Sequence, residues 1–446
     1  MNLLEKLSII KVYIKKLKKS IHINNRMDVF IIATLLVLAV ITPIIISLSV
    51  KIEAAAKQRV LYLSSNCEEF FGKKMMETLI LEFQEKNPDI LIRMTNGEAT
   101  HEPDILLFDE GSLNALVAEG ALARLNPFTN FDSGKQQLAV PLVSFMDVLF
   151  YNIDILTAAG FYYPPKTRAE FTTFARTISR GEFGASGAAI SLSPEDLQAP
   201  ARDIFSWIWA GGGNFWRDEE GPSISTRVIT NDIAFLGTLY SEEILAPGVF
   251  ETTGEQRLEE FAQGKIAMMV ASTRAIPYLR ERMGDTAFGI TTIPGSGTGG
   301  KYSAAFSAIY AGINSNSAHI EEAWSFLVFL AEKSFLFCEE LKAVPGVVSD
   351  IIRGDYIKAD PFYSKAWDIF ESSGIAEGFS GNLYAQEYET AFMEELQIFF
   401  ETGRTAQQTI AAIQQRWNVI TEKALPEETE TEGEKAQDEV IQDEAA

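Results

Sequence analysis

The side chains able to do chemistry are few in kind and unevenly spread. His22, His101 and His319 lie far apart and form no H-x-x-x-H or related ligand pattern, and Cys67 and Cys338 are too few for a four-ligand zinc site or a disulfide framework. Metal chemistry and histidine-based nucleophilic catalysis are therefore disfavoured, and neither a metal site nor a cofactor is expected. The two thiols read as buried side chains, or as one disulfide if the fold brings their Cα atoms within ~7 Å. The glycine-rich run IPGSGTGGK (293–301) lacks the G-x-x-x-x-G-K-[ST] spacing of a phosphate cradle. Polar residues beside short apolar runs are better placed, because ligands of open α/β sheets bind beyond strand ends. Ser65, Asn66 and Glu68 follow VLYLS (60–64), Asp109 and Glu110 follow DILLF (104–108), Phe145, Met146 and Asp147 precede LFYN (149–152), and Ser272, Thr273 and Arg274 follow AMMV (267–270). Two of these carboxylates, Asp109 and Asp147, would suit a glycosidase only if the fold set them ~5–9.5 Å apart across a scissile bond. Nothing in their spacing does so, and no enzyme is expected.

The elements that must position these residues alternate between strand and helix. VLYLS reads as a buried strand; Phe71, Met75, Leu79 and Phe83 form a helical apolar face ending at Asn87-Pro88; ILIRMT (90–95) and DILLF are strands. That order suggests a mostly parallel sheet. A helix over 110–119, a long strand over 141–152, a Pro164-Pro165 turn into a helix near 167–179, and a helix from Asp196 to Ala210 stopped by Gly211-Gly212-Gly213 follow. Helices near 228–243 and 255–263 precede strands at 265–270, 287–292 and 308–314, a helix at 321–333, and further helices to about Val419.

Composition bounds the whole. With 446 residues, 47% apolar and 22% charged, the chain has an ordinary core and length for two or three domains, which excludes wholesale disorder and a many-pass membrane protein. The net charge of -23 disfavours nucleic-acid partners, and its distribution sets the topology. Residues 1–27 carry +6 and residues 422–446 carry -8, leaving -21 on 28–421. Residues 28–50 hold an uncharged run from Val29 to Val50, long enough at ~1.5 Å per residue to cross a ~30 Å hydrocarbon layer. Positive residues before it place 1–27 in the cytoplasm and the acidic body outside, as a single-pass membrane protein with a periplasmic or extracellular domain. The run exceeds the usual ~7–15 residues of a cleaved signal, although Ala54-Ala55-Ala56 offers a cleavage site. Leu3, Leu7, Ile10, Ile14, Leu17 and Ile21 make the basic head amphipathic, fit for an anionic leaflet or a short coiled coil, or simply a basic flank. The acidic tail 422–446 has almost no apolar content and is expected to be disordered.

Four stretches carry a family resemblance: PDILLFDEGSLNALVAEGALARLNPF (103–128); PLVSFMDVLFYNIDILTAAGFYYPPKTRAEFTTFARTI (141–178); FAQGKIAMMVASTRAI (261–276) with FGITTIPG (288–295); and AGINSNSAHIEEAWSFLVFLAEK (311–333) with AVPGVVSD (343–350). They resemble the family-one extracellular solute-binding proteins of ABC importers, the maltose-binding-protein-like group, over roughly 59–420. The resemblance implies an α/β fold of the two-lobed type II periplasmic-binding-protein kind with hinge strands, preceded here by the transmembrane helix. The binding domain would span 57–421. Lobe one would hold about 57–141 and 290–333, and lobe two about 142–289 and 334–421, with crossings near Pro141, Asp285 to Gly289, and Ser334. A ligand would be held between the lobes by hinge closure.

Read through that resemblance, the ligand contacts are Asn66, Asp109, Glu110, Phe145, Asp147 and Arg274 in the loops named above. WIWAGGGNFW (207–216), which resembles the family's "W..GG" helix end, adds Trp207 and Trp209, with Asn214 and Trp216 as further candidates. Tyr302 and Phe306 come from the glycine-rich return, and Tyr384 and Tyr388 from a C-terminal helix. Aromatic faces beside carboxylates and amides suit a sugar, whose C–H face stacks on a ring while its hydroxyls bond polar groups. The expected function is capture of a sugar or oligosaccharide by a monomeric domain that delivers it to ABC permease subunits in the membrane. The alternative is a ligand-sensing adaptor of the same fold coupled to a membrane signalling partner.

Overall fold

The computed structural model describes residues 42, 58–64, 71–95, 101–125, 137–195, 201–216, 221–296, 303–341, 343–345, 360–376, 378–379 and 381–424. The predicted span 28–50 (Thr42 apart), the basic head and the tail beyond Ala424 lie outside these residues, as do Asn66, Cys67 and Tyr302. Among the described residues no helix is long and apolar enough to cross a membrane. The chain divides into two compact units, 1–60 with 84–91, and 61–83 with 92–446. In the first, the Arg59 N–H donates to the Asp89 carbonyl at 2.8 Å and the Gln58 side-chain amide to the Pro88 carbonyl at 2.9 Å.

The second unit holds nearly all the rest. In chain order the first elements are strand β1 (Arg59–Leu63), helix α1 (Lys73–Lys86), β2 (Ile90–Met94), β3 (Ile105–Asp109) and α2 (Glu110–Ala118). Met76, Leu79, Ile80 and Phe83 bury one face of α1, the i, i+3, i+4, i+7 spacing of an amphipathic helix. Next come β4 (Ala139–Asn152), α3 (Ile153–Ala158), α4 (Arg168–Arg180), α5 (Arg202–Ala210), α6 (Arg227–Ser241) and α7 (Gly254–Ala262). Side-chain caps start most of these helices where the sequence turns. Asn152 of LFYN accepts from Ile155 N–H at 3.0 Å, Thr167 caps α4, Thr226 caps α6, and Thr253 with Gln256 forms a capping box on α7. The chain continues through β5 (Met268–Ser272), α8 (Ile276–Met283), β6 (Phe288–Thr291), β7 (Ser303–Ala304), β8 (Phe306–Ile313), α9 (Ile320–Glu332), α10 (Ser334–Leu341) and β9 (Val344–Pro345). It closes with α11 (Pro361–Ser372), β10 (Gly374–Ile375), α12 (Ala385–Thr402) and α13 (Ala406–Ala424). Cys338 is buried in α10.

The sheet order is β2-β1-β3-β8-β4-β5, with β6 and β9 also paired to β4. The expected mostly parallel sheet is a correction. β1 and β3 are parallel, but β3 with β8, and β4 with β5, β6, β8 and β9, are antiparallel. The local strand-helix-strand order concerned only the first strands; β8 enters from far later in the chain and reverses the direction.

β4 organises the unit. Its first half pairs with β8, from Ala139↔Gly312 to Met146↔Phe306, and its second half pairs with β5, from Asp147↔Ser272 to Tyr151↔Met268. The change of partner falls between Met146 and Asp147. A register shift at Pro141/Val143 accommodates a proline that has no N–H to give the ladder. Along the second half, Leu149 joins one hydrophobic cluster while Val148 and Phe150 join another, so both faces of the strand are covered.

Candidate functional site

A cleft of about 1270 Å³ opens beside Ala139, at the start of β4. One side is formed by α2, with Glu110, Leu113 and Asn114, and by Tyr310 of β8. The other is formed by α5, with Arg202, Phe205 and Trp209, and by Trp216 and Phe250. Ala376, Gly378, Phe379, Gly381 and Asn382, and α12 with Gln386, Glu389 and Met393, complete it, and the Gly381 N–H donates to Asn114 Oδ1 at 2.7 Å.

Arg202 is the polar centre. Its Nε meets Asp147 Oδ2 at 2.7 Å and its Nη1 meets Glu110 Oε2 at 3.2 Å, so one guanidinium joins α2, α5 and the point where β4 changes partner. Ser206 Oγ also donates to Asp147 Oδ2, at 2.8 Å. Asp147 is 2% exposed, and its Oδ1 has no hydrogen-bond partner among the described residues; nor has Arg202 Nη2. Burial alone would favour a neutral guanidine, but the charges of Asp147 and Glu110 and the hydrogen bonds to both outweigh it and raise the Arg202 pKa. Glu389 faces this centre with no hydrogen bond or ion pair among the described residues, and its carboxyl is pushed up to about 7 by burial and by Glu110, with Arg202 opposing. Burial, then Glu110, also raises the Tyr310 phenol.

The walls are aromatic. Trp209 is 6% exposed, tilted against Phe205 and Phe215 at centroid distances of 5.4 and 5.9 Å, and its indole N–H has no acceptor among the described residues. Trp216 donates its Nε1–H to the Gly378 carbonyl at 2.8 Å, and Phe379 stacks on Phe215 and Tyr388. Gly378 leaves room for the Trp209 ring, since a Cβ there would sit 3.3 Å from Trp209 Cη2.

Of the residues expected from sequence, Glu110, Trp209, Trp216 and Phe306 line the cleft, and Asp147 reaches it through Arg202. The others with described positions do not line it. Asp109 caps α2, its Oδ1 accepting from Ser112 N–H at 3.0 Å and Ser112 Oγ at 2.9 Å. Phe145 is buried under the Arg274 guanidinium, 5.3 Å from its ring centroid. Trp207 is packed in the core against Phe171 and Phe235. Tyr388 is buried with its hydroxyl 3.0 Å from Thr421 Oγ1, and the Tyr384 hydroxyl donates to the Lys423 carbonyl at 3.4 Å. Sequence reasoning missed Arg202, Tyr310, Phe379 and Glu389. Arg202 did carry a signal: it opens the mostly apolar helix RDIFSWIWA, where the helix dipole disfavours a cation and so calls for nearby carboxylates.

The model of the bacterial extracellular solute-binding protein family matches residues 77–334, more than half of the chain, and the chain belongs to that family. It is a family of binding proteins, not of enzymes. An ABC transporter-binding protein of Deinococcus radiodurans is 25% identical over 255 residues, 54% of this chain and 58% of that one. A binding protein of Brucella abortus is 24% identical over 198 residues, 44% and 47% of the two chains. The chain thus spans about half the length of the curated relatives it matches. The sugar-binding protein MalE from Xanthomonas citri superposes with a TM-score of 0.66 at 16% identity, covering 82% of this chain and 98% of that one. The fold is the mixed α/β, two-lobed MalE-like one.

Proposed function

We propose that the protein captures a sugar or oligosaccharide in this cleft and delivers it to the permease subunits of an ABC importer, without chemical change to the ligand. The observation that carries the reading is the lining: the rings of Trp209, Trp216 and Phe306 lie in the wall beside the carboxylates of Glu110 and Glu389 and the amides of Asn114 and Gln386. Rings stack on the C–H face of a pyranose while carboxylates and amides take its hydroxyls. The volume exceeds the ~300–1,000 Å³ usual for small-molecule pockets, which favours an oligosaccharide. The sugar-binding relative from Xanthomonas citri agrees with this choice. The lobes would close about β4, and the Arg202–Glu110 pair, which ties α5 to α2, would tighten or part as they move. Segment 28–50 would hold the domain at the outer face of the membrane, with residues 1–27 in the cytoplasm.

Thermal unfolding of the full chain in a sugar-free detergent, against sugars, sugar phosphates, polyamines and amino acids, tests the reading. A ligand at ~100 times its Kd adds about 2.7 kcal/mol to the folded state, a readily measured shift. A shift by oligosaccharides is expected; shifts confined to the non-carbohydrates would overturn the assignment.

A further inference from the structure

We infer that the cleft selects a sugar carrying a protonated amine over its neutral counterpart, with Glu389 as the residue that receives the ammonium group. This rests on the sugar reading above and narrows it. Three carboxylates, Glu110, Asp147 and Glu389, meet around one guanidinium, whose Nε is taken by Asp147 and Nη1 by Glu110 while Nη2 has no acceptor among the described residues, so one positive charge faces three acids. Glu389 lines the cleft and has no hydrogen bond or ion pair among the described residues. A neutral sugar would supply hydroxyl donors to Glu389 but no countercharge, and a carboxylate held out of bulk water without one is disfavoured. The rise of its pKa to about 7, through burial and the nearby Glu110 against the pull of Arg202, is the same imbalance seen as protonation. An ammonium group removes it, and Trp209 and Trp216 on the wall present ring faces that attract a cation.

A second observation separates an amino sugar from a bare amine. Trp209 is more than nine-tenths buried in the cleft wall, and its indole N–H has no acceptor among the described residues. A ligand that answers both groups must bring a cationic donor to Glu389 and an acceptor oxygen to Trp209. An amino sugar has both; a linear polyamine has only the first.

The test is calorimetric titration of the full chain in sugar-free detergent at about pH 7, where a typical amine is largely protonated. The probes are the glucosamine disaccharide, its N-acetylated form, the glucose disaccharide of the same linkage, and spermidine. The amine-bearing disaccharide is expected to bind at least about tenfold more tightly than either neutral form, the low end for one hydrogen bond to a charged group. In Glu389→Gln that ratio should fall to about one, and in Glu389→Asp to an intermediate value, with unchanged circular dichroism reporting an intact fold. If the neutral disaccharides bind as well as or better than the amine on the wild-type chain, the inference fails and the sugar reading stands. A preference that survives Glu389→Gln overturns the role of Glu389. Binding of spermidine with no disaccharide bound overturns both the inference and the sugar reading.

Discussion

Two arginines serve the same helix in opposite ways. Arg168 of α4 reaches the C-terminal turn of α5, where its Nη2 donates to the Trp207 carbonyl at 2.8 Å; its Nε donates to the Pro294 carbonyl at 3.3 Å, and its Nη1 pairs with Asp232. Phe235 covers the guanidinium at 4.8 Å, and Asp232 is fully buried. A cation at a helix C-terminus is where the dipole favours it. Arg202 stands at the other end of α5, against the dipole, and is held there by two carboxylates. Arg168 has every nitrogen engaged, and Gly211 closes the pair, since a Cβ there would lie 2.7 Å from Asp232 Oδ2 and 2.9 Å from Arg168 Nη2. Arg202 leaves Nη2 without an acceptor and faces the cleft. A guanidinium whose nitrogens are all engaged by backbone, carboxylate and rings fixes a fold; one that lines a cleft with a nitrogen left over need not serve the fold alone.

The contrast predicts different failures. Arg168→Ala strips a buried carboxylate of its partner and should lower the unfolding free energy by about 3–5 kcal/mol, measured by denaturant titration. A loss under about 1 kcal/mol would mean the pair is not sealed. Arg202→Ala, at a side chain one-fifth exposed where water can enter, should cost only about 1–3 kcal/mol of stability while weakening ligand binding about 10- to 100-fold. Calorimetric titration of the ligand found by thermal screening, beside a denaturant curve on the same variant, gives both numbers. Equal stability losses at the two arginines with unchanged binding at Arg202 would erase the distinction.

How far this was legible in the sequence depends on range. Local signals transferred well: the DILLF strand, the helix that follows the Pro164-Pro165 turn, and the apolar face of α1 each follow from residues within a few positions. Trp207 and Trp209 were both readable as candidates, but their roles differ because residues two apart on a helix point about 200° apart, one into the core and the other to the cleft. Asp109 drew attention as a loop acid, yet a loop acid before a helix is also the commonest cap, which is its role in the structure. Arg202 lies 55 residues from Asp147 and 92 from Glu110. The antiparallel return of β8 onto β3 and β4 brings the Glu110 and Asp147 segments into one sheet, and no periodicity within a segment encodes that.

A pH titration sharpens the comparison further. Glu389 has a folded pKa of about 7 against an ordinary 4.5, so the folded chain holds its proton longer than the unfolded chain does. Its stabilising contribution is full below about 4.5 and is lost as pH rises through about 7. Glu389→Gln lacks that loss. The variant-minus-wild-type stability should therefore climb between about pH 4.5 and 7 and level off above. Asp232, raised to about 6 by burial against the pull of Arg168, gives a similar fall in both chains and cancels in the difference. The facing charges are Glu110 of α2 and Arg202 of α5, so a flat difference curve would mean that the pull of Arg202 cancels burial and Glu110 and leaves Glu389 at its ordinary pKa.

The smallest effect tests whether the cleft network acts as one unit. Ser206 Oγ and Arg202 Nε donate to the same oxygen, Asp147 Oδ2, and Ser206 is fully buried. With Arg202 in place, Ser206→Ala leaves that oxygen one strong donor, and the loss should be about 1 kcal/mol, typical of a single hydrogen bond. Without Arg202 the serine is the one described side-chain donor left on a carboxylate whose other oxygen already has none, so the same substitution should cost more. A double-mutant cycle of Ser206→Ala and Arg202→Ala should return a coupling of about 0.5–3 kcal/mol. A coupling near zero would mean that Asp147 is held by β4 alone, and Arg202 would then be a ligand-facing charge with no part in setting the strand at its change of partner.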